Sequence, residues 1–312
     1  MLIDLHAKLT PEKRKDLEAK IELTLSIKSK VKELYDYHIA NSKKWYPHLV
    51  VPWGAGHDYV EKEWKEEQAG LKKEVRIALE TNLLTEDNLP YYHAELARYL
   101  SDDPIWGVWN RRWTAEEGKH AAAIRDYLYL TRNFDPVEME DNRQLIMESG
   151  FTRPFDPISI FVYTTVQELA TRVAHINTGR AADEPVIKAL LTHVSNDENF
   201  HFIFYRGVVK AMLEQAPELV LPSVVEQIHA FAMPGSSLPD FKQRMDIIAD
   251  LEIYGPAQHR DQVIKPLLKS WEIDKLTGLS PEMQKVQEQV MGLITLLDRV
   301  VERRERKKNK SA

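Results

Sequence analysis

The chain contains no cysteine. That absence excludes disulfides, thiolate zinc sites, iron–sulfur clusters and a cysteine nucleophile, and it leaves histidine and carboxylates as the strong metal ligands. Long apolar runs are missing as well. No uninterrupted stretch reaches membrane-spanning length, and the opening MLIDLHAKLTPEKRK lacks the apolar core of a secretory signal. No convincing alternation of apolar and polar residues marks a strand. Positive charge is not in excess: the formal net charge is −6, which argues against general binding to nucleic acid. What remains is a chain of 312 residues, 43% hydrophobic and 29% charged, able to bury a core and fitting a globular protein, with a cytoplasmic enzyme as the expectation.

The periodicity is helical almost throughout. Thr10 and Pro11 suit the cap and first turn of a long helix reaching to about Ala40. Further helices are expected over about 57–82, 86–101, 104–131, 136–149, 157–179, 183–216, 222–232, 238–254, 257–270 and 281–306. Turn signals fall between them: Pro47 and Pro52 around a Trp-rich turn, Asp135-Pro136, Gly150 with Pro154 and Pro157, and the loop Met233-Pro234-Gly235-Ser236-Ser237. None reads as a flexible linker. The expectation is one all-α domain over 1–312, with about 1–55 as an N-terminal approach and 235–312 as a C-terminal helical extension.

Two short motifs carry chemistry. In WTAEEGKH (113–120), Glu117 and His120 are three residues apart, so both side chains sit on one helix face and can reach one point. One such pair is common on helical surfaces. A second copy changes the inference: Glu198 and His201 in SNDENFHFIFYR repeat the spacing on another long helix. A lone glutamate precedes each copy at almost equal distance, Glu86 lying 31 residues before Glu117 and Glu168 lying 30 before Glu198. The doubled E…E-x-x-H pattern is that of ferritin-like di-iron and di-manganese carboxylate bundles. Four carboxylates and two imidazoles suit two iron ions, since four negative charges offset two Fe²⁺ and hard oxygen donors favour Fe³⁺.

Two of the six need separate argument. Glu168 could pair with Arg172 one turn later, but its apolar surroundings, ISIFVYTTVQELA, favour a buried carboxylate that needs a partner or a metal. For Glu86 two readings stay open: Pro90 starts a helix and leaves Glu86 outside it, or Pro90 lies inside a helix that kinks at the Glu86 carbonyl. His93, His175 and His193 lack the paired spacing and are expected to be hydrogen-bonded or on the surface.

With WTAEEGKH at 113–120, YTTVQELAT at 163–171, DENFH at 197–201 and WEIDKLTGLS at 271–280, the chain resembles the soluble acyl-carrier-protein desaturases, the plastid stearoyl type and its actinobacterial relatives, from about Trp45 to Arg304. The resemblance implies an all-α, ferritin-like four-helix bundle with flanking helices. It implies a centre of two Fe ions held by Glu86, Glu117, His120, Glu168, Glu198 and His201, and it selects Glu86 because the family's first ligand lies just before a Leu-Pro pair, here Leu89-Pro90. It further implies O₂-dependent insertion of a cis double bond into a saturated chain on acyl carrier protein, electrons from reduced ferredoxin, a homodimer and a cytoplasmic location, or the plastid stroma for a plant-type source.

By the same resemblance Thr171 stands beside the oxygen-binding face, and Asp197 and Trp45 match an electron route from a surface tryptophan to His120. A carboxylate accepting the second N–H of a ligand histidine is sensible without electron transfer, Thr171 could equally bond a backbone carbonyl, and Trp45 could only pack. Asn199 and Phe200 replace the Lys-Arg common in relatives, and Lys119 replaces an arginine. A long apolar channel beside the irons is expected to hold the acyl tail at fixed depth. Lys28, Lys30, Lys32, Lys43 and Lys44, and the tail from Arg303 to Lys310, are candidate docking charges for an acidic carrier, with a solvated face the simpler reading of the tail. The ligand set also fits a di-iron hydroxylase or N-oxygenase and, less well, a ferroxidase or iron-storage protein.

Overall fold

In the computed structural model, residues 9–100, 102–150, 155–232 and 237–311 are described; the opening MLIDLHAK, Pro154 and residues 233–236 of the expected loop lie outside them. The helices are α1 (Pro11–Ser26), α2 (Lys28–Asn41), α3 (Lys73–Glu86), α4 (Leu89–Leu100), α5 (Pro104–Leu130), α6 (Pro136–Ser149), α7 (Ser159–Ala182), α8 (Pro185–Gln215), α9 (Pro217–His229) and α10 (Phe241–Asp250). A helical run over 256–271, α11, passes through a π segment at His259–Ile264, and α12 (Pro281–Ser311) ends the chain. No strand occurs among the described residues, and the architecture is the all-α ferritin-like one expected.

Local chemistry sets the starts of the main helices. Asp103, Asp135 and Glu184 each precede a proline at the first helical position, and each side chain accepts from backbone N–H groups of the first turn. Gly150 closes α6 at φ 59°, a left-handed conformation that suits a residue without Cβ. α7 is buried on every side over 158–171, as its apolar sequence demands, and packs along α8. Together α3, α5, α7 and α8 form the core bundle that carries the doubled motif.

Three helix expectations change. The first helix breaks at Ile27 into α1 and α2. Residues 57–72 are turns with one 3₁₀ turn at Glu66–Gln68, and only from Lys73 is the chain helical. The reason is tertiary: the Tyr59 hydroxyl donates to the Tyr129 carbonyl at 2.7 Å, Trp64 Nε1 donates to the Arg132 carbonyl at 3.0 Å, and Arg132 Nε donates to Gln68 Oε1 at 2.7 Å, so the segment straps the end of α5. α9 starts at Pro217, five residues before the expected start, and tolerates Pro222 within it. Pro222 forfeits one N–H bond near the N-terminal end of the helix.

Residues 26–45 run antiparallel along α8. Ser26 Oγ meets Gln215 Oε1 at 3.0 Å, and Trp45 Nε1 meets Asp197 Oδ2 at 2.7 Å. Between them Leu34 packs where Gly207 has no side chain; a Cβ there would stand 2.7 Å from Leu34 Cδ2. That close approach brings the next turn of α2 against the centre of the bundle.

Away from the centre, Glu80 of α3 is completely buried and is held by Arg244 of α10 and by Asn142 Nδ2 of α6 at 2.8 Å. Burial pushes the Glu80 carboxyl above its ordinary value even with Arg244 beside it. Replacing Arg244 by Leu leaves that charge uncompensated and is expected to lower stability by about 3 kcal/mol in urea unfolding, with much of the loss recovered by adding Glu80→Gln.

Candidate metal centre

The four core helices bring all six motif residues to one place. Glu86 closes α3, Glu117 and His120 project from α5, Glu168 from α7, and Glu198 and His201 from α8; every one is buried. Donor atoms of Glu86, Glu117, His120 and Glu198 lie within 4.8 Å of one another, and so do those of Glu117, Glu168, Glu198 and His201. The two groups share Glu117 and Glu198, the glutamates of the paired motifs, while the lone glutamates each serve one group. Pro90 does start α4, and Glu86 reaches the site from the end of the preceding helix across the two-residue turn Asp87–Asn88.

Both imidazoles turn Nδ1 inward. His120 Nδ1 is 3.3 Å from Glu198 Oε1 and 3.7 Å from Glu86 Oε2; His201 Nδ1 is 2.8 Å from Glu117 Oε1 and 3.4 Å from Glu168 Oε2. Their Nε2 atoms point outward to carboxylates: His120 to Asp197 Oδ2 at 3.1 Å and His201 to Glu116 Oε2 at 2.9 Å. Each of these acids immediately precedes the glutamate of the opposite motif. The pattern is therefore acid-Glu-x-x-His twice, with the leading acid of each copy supporting the histidine of the other.

More residues hold the lone glutamates. Glu86 Oε1 is 2.9 Å from His175 Nε2, and Glu168 Oε1 accepts from Trp113 Nε1 at 3.0 Å. His175 is thus hydrogen-bonded as expected, but at the centre of the site. His93 bonds Thr114 Oγ1 at 2.7 Å, and His193 stacks on Trp45. Glu168 makes no ion pair with Arg172; it faces inward.

Metal ions fit this cluster. One oxygen or nitrogen on each of the six residues is buried and facing only other members of the cluster, without an aligned hydrogen bond: Glu86 Oε2, Glu117 Oε1, His120 Nδ1, Glu168 Oε2, Glu198 Oε1 and His201 Nδ1. Such atoms are costly unless something binds them. Protonation tells the same story. Burial and the charges of Glu198 and Glu86 push the Glu117 carboxyl up to about 8. Burial and the charge of Glu117 push Glu168 well up. His120 and His201 are raised because the surrounding carboxylates outweigh the burial that opposes their charge. Glu86 and Glu198 are held down, against their burial, by hydrogen bonds from the histidines around them, so the imidazoles supply part of the counter-charge and the inward atoms converge where cations can supply the rest.

The outer residues were only partly visible in the sequence. Asp197 accepts from Trp45 Nε1 at 2.7 Å and pairs with Lys119 at 2.7 Å as well as bonding His120. Lys119 therefore keeps a cation at the site, its ammonium 4.4 Å from the centre of the Trp45 ring. Trp45 is buried beneath the surface, 7% exposed, which corrects its expected surface position: the indole fits between His120, His193 and Lys119. The Thr171 hydroxyl lies 3.1 Å from the backbone carbonyls of both Gln167 and Glu168. Glu116, Arg112 and His38 were missed altogether; the acid preceding Glu in both EEGKH and DENFH was the signal that could have found Glu116.

Of the expected docking charges, Lys28, Lys30 and Lys32 are paired with Asp103, Glu33 and Asp36, whereas Lys43 and Lys44 are exposed. No helix among the described residues is long and apolar enough to cross a membrane.

A family model described as fatty acid desaturase matches residues 19–312. DesA1 of Mycobacterium tuberculosis, named for an acyl-[acyl-carrier-protein] desaturase, is 36% identical over 290 residues, covering 89% of this chain and 86% of its own. The chloroplastic stearoyl-[acyl-carrier-protein] 9-desaturase 6 of Arabidopsis thaliana is 30% identical over 283 residues, covering 85% and 72%. The X-ray structure of DesA2 from Mycobacterium tuberculosis matches the fold with a TM-score of 0.67 at 24% identity, over 85% of this chain and 99% of that one. By its family match and by these relatives, the chain belongs to the fatty acid desaturase family.

Proposed function

We propose that this protein is a di-iron acyl-[acyl-carrier-protein] desaturase that forms a cis double bond in a saturated acyl chain, using O₂ and electrons from reduced ferredoxin. The observation that carries the reading is the pair of overlapping four-donor groups sharing Glu117 and Glu198. Glu86, His120, Glu117 and Glu198 would hold one iron, and Glu168, His201, Glu117 and Glu198 the other. Bound there, the iron pair would supply the redox chemistry by which CH₂–CH₂, O₂, two electrons and two protons become CH=CH and two water molecules.

The chain's own residues do the rest. Asp197 and Glu116 take the Nε2–H of His120 and His201, which fixes the tautomer that leaves each Nδ1 lone pair inward. Trp113 and His175 orient the two lone glutamates. The centre is closed off by the burial of α7 around Glu168, which limits bulk water at the site. Trp45 through Asp197 to His120 is a continuous hydrogen-bonded path from just below the surface, suited to electron entry. Thr171 is assigned to the oxygen side, where its hydroxyl could exchange a backbone carbonyl for an oxygen ligand. An apolar channel would set the depth of the acyl tail and hence the position of the double bond. Exposed Lys43 and Lys44 are candidate contacts for an acidic carrier.

The reading is tested by incubating iron-loaded protein with acyl carrier proteins of several chain lengths and a ferredoxin reducing system, followed by mass spectrometry of the acyl group. A loss of two hydrogens is expected; a hydroxylated product, with one oxygen retained, would replace desaturation by hydroxylation. In the same assay Glu168→Ala and Glu198→Ala are expected to lose most turnover and to hold less than the roughly two irons per chain of the parent. Full occupancy and turnover in either would mean the ligands are misassigned.

Asp197→Asn is expected to retain iron at saturating metal but to lose about 10- to 100-fold in activity, because an amide gives the His120 N–H no charge to lean on. A loss seen only with ferredoxin, and not with chemical reduction, would assign Asp197 to electron transfer; equal losses would assign it to tuning His120. No loss in either would remove both roles.

The assembly belongs to the same proposal: a symmetric homodimer, sedimenting at about twice the 36.2 kDa chain mass at micromolar concentration. A monomer in the iron-loaded protein would contradict it.

A further inference from the structure

The two histidines of the centre are braced by matching sets of residues. On one side Asp197 receives the His120 N–H, the Trp45 N–H and the Lys119 ammonium. On the other, Glu116 Oε2 lies 2.9 Å from His201 Nε2 and 3.0 Å from His38 Nε2, while its Oε1 pairs with Arg112. Each acid is thus held by a ligand imidazole, a basic side chain and a ring N–H from residues 26–45. No spacing rule led to the second set, and His38 has no part in the chemistry described above.

His38 is built into its place. It is 1% exposed on α2, its ring stacks on His201 with 5.8 Å between centroids and 15° between planes, and Trp109 meets its edge at 5.1 Å. Leu34, one turn earlier on the same face, seats α2 against Gly207 of α8. Both N–H donors converge on one oxygen of Glu116. Its other oxygen pairs with Arg112, so Glu116 is held from three sides. A carboxylate oxygen fixed at that position favours the tautomer in which His201 carries its proton on Nε2.

We infer that His38 and Glu116 are positioning residues for the second half of the centre: His38 clamps Glu116, and Glu116 locks His201 with Nδ1 free to bind metal. This rests on the reading of the six-residue cluster as a metal centre. A third cation among His38, Glu116 and His201, whose donor atoms also lie within 4.8 Å of one another, is the rival. The short N···O contacts to Glu116 favour hydrogen bonding, since those atoms already satisfy each other.

Anaerobic titration of metal-free full-length protein with Co²⁺, followed by visible absorption, separates these cases. The parent is expected to bind two Co²⁺ per chain. His38→Phe keeps the ring stack but has no N–H, and is expected to weaken one of the two positions about fivefold, for a single hydrogen bond removed from its support, and to shift the absorption band of that position only. His38→Gln places an amide N–H near the former Nε2 and should restore both affinity and band. Glu116→Gln should weaken the same position by about 10- to 100-fold.

An unchanged titration in His38→Phe would overturn the inference. So would equal deficits in His38→Phe and His38→Gln, which mean packing alone, or a third Co²⁺ in the parent that His38→Phe abolishes. Equal weakening of both positions would mean general loosening and overturn it too. Should His38→Phe not fold, Glu116→Gln decides, selective loss at one position supporting the inference and equal or no loss refuting it. Absence of any paired Co²⁺ binding in the parent would refute the metal-centre reading itself, an outcome distinct from a parent that binds two ions and a variant that binds them equally well.

Discussion

Four carboxylates buried in the middle of a helical bundle are the constraint on which the rest of this structure depends. Glu86, Glu117, Glu168 and Glu198 are between 1% and 4% exposed, and among the described residues their ion-pair partners are histidines, so their counter-charge falls to imidazoles, protons or metal ions. Desolvating a charge without compensation costs several kcal/mol for each ion, which is a large fraction of the stability of an ordinary domain. The surrounding architecture concentrates on making that burial specific. Two imidazoles face the carboxylates, two further acids take the outer N–H groups, and a tryptophan and a histidine fix the remaining glutamate oxygens.

The support is reciprocal between helices. Because the acid before each paired glutamate serves the histidine of the other copy, α5 and α8 cannot slide past one another without breaking both ligand histidines' hydrogen bonds. Residues 26–45 extend this by lying along α8 and inserting His38 and Trp45 against the two supporting acids. A segment that reads as a polar approach to the bundle is thereby part of its centre. The Glu80–Arg244–Asn142 contact is a second buried-charge arrangement in the same fold, solved with a cationic side chain because it lies where α10 can reach.

Family membership and donor geometry bear on different questions. The match over residues 19–312 places the chain among the fatty acid desaturases. The donor set by itself fits several oxygen-activating reactions, since ligands determine what binds and the surrounding cavity determines what reacts. The outer contacts of this chain, including Lys119 on Asp197 and Phe200 beside His38, are where its centre acquires an individual character.

The sequence by itself determined most of the helices and put Glu117 with His120, and Glu198 with His201, on shared faces, because both rest on local geometry, whereas it left Glu86 open between two readings. Residues three apart share a helix face wherever the helix goes, an acid before proline caps a first turn, and a doubled spacing of 30 and 31 residues signals two equivalent helical hairpins. Residues 57–72 defeated that reasoning, as their side chains strap the end of α5 in preference to continuing a helix. What only the tertiary structure decided are the contacts across long stretches of chain: His38 on Glu116, Trp45 on Asp197 and His175 on Glu86 join residues 78, 152 and 89 positions apart. No local period encodes such pairs. They follow from which faces of α2, α3, α5, α7 and α8 meet when the core closes, and that is settled by the summed packing of the whole bundle.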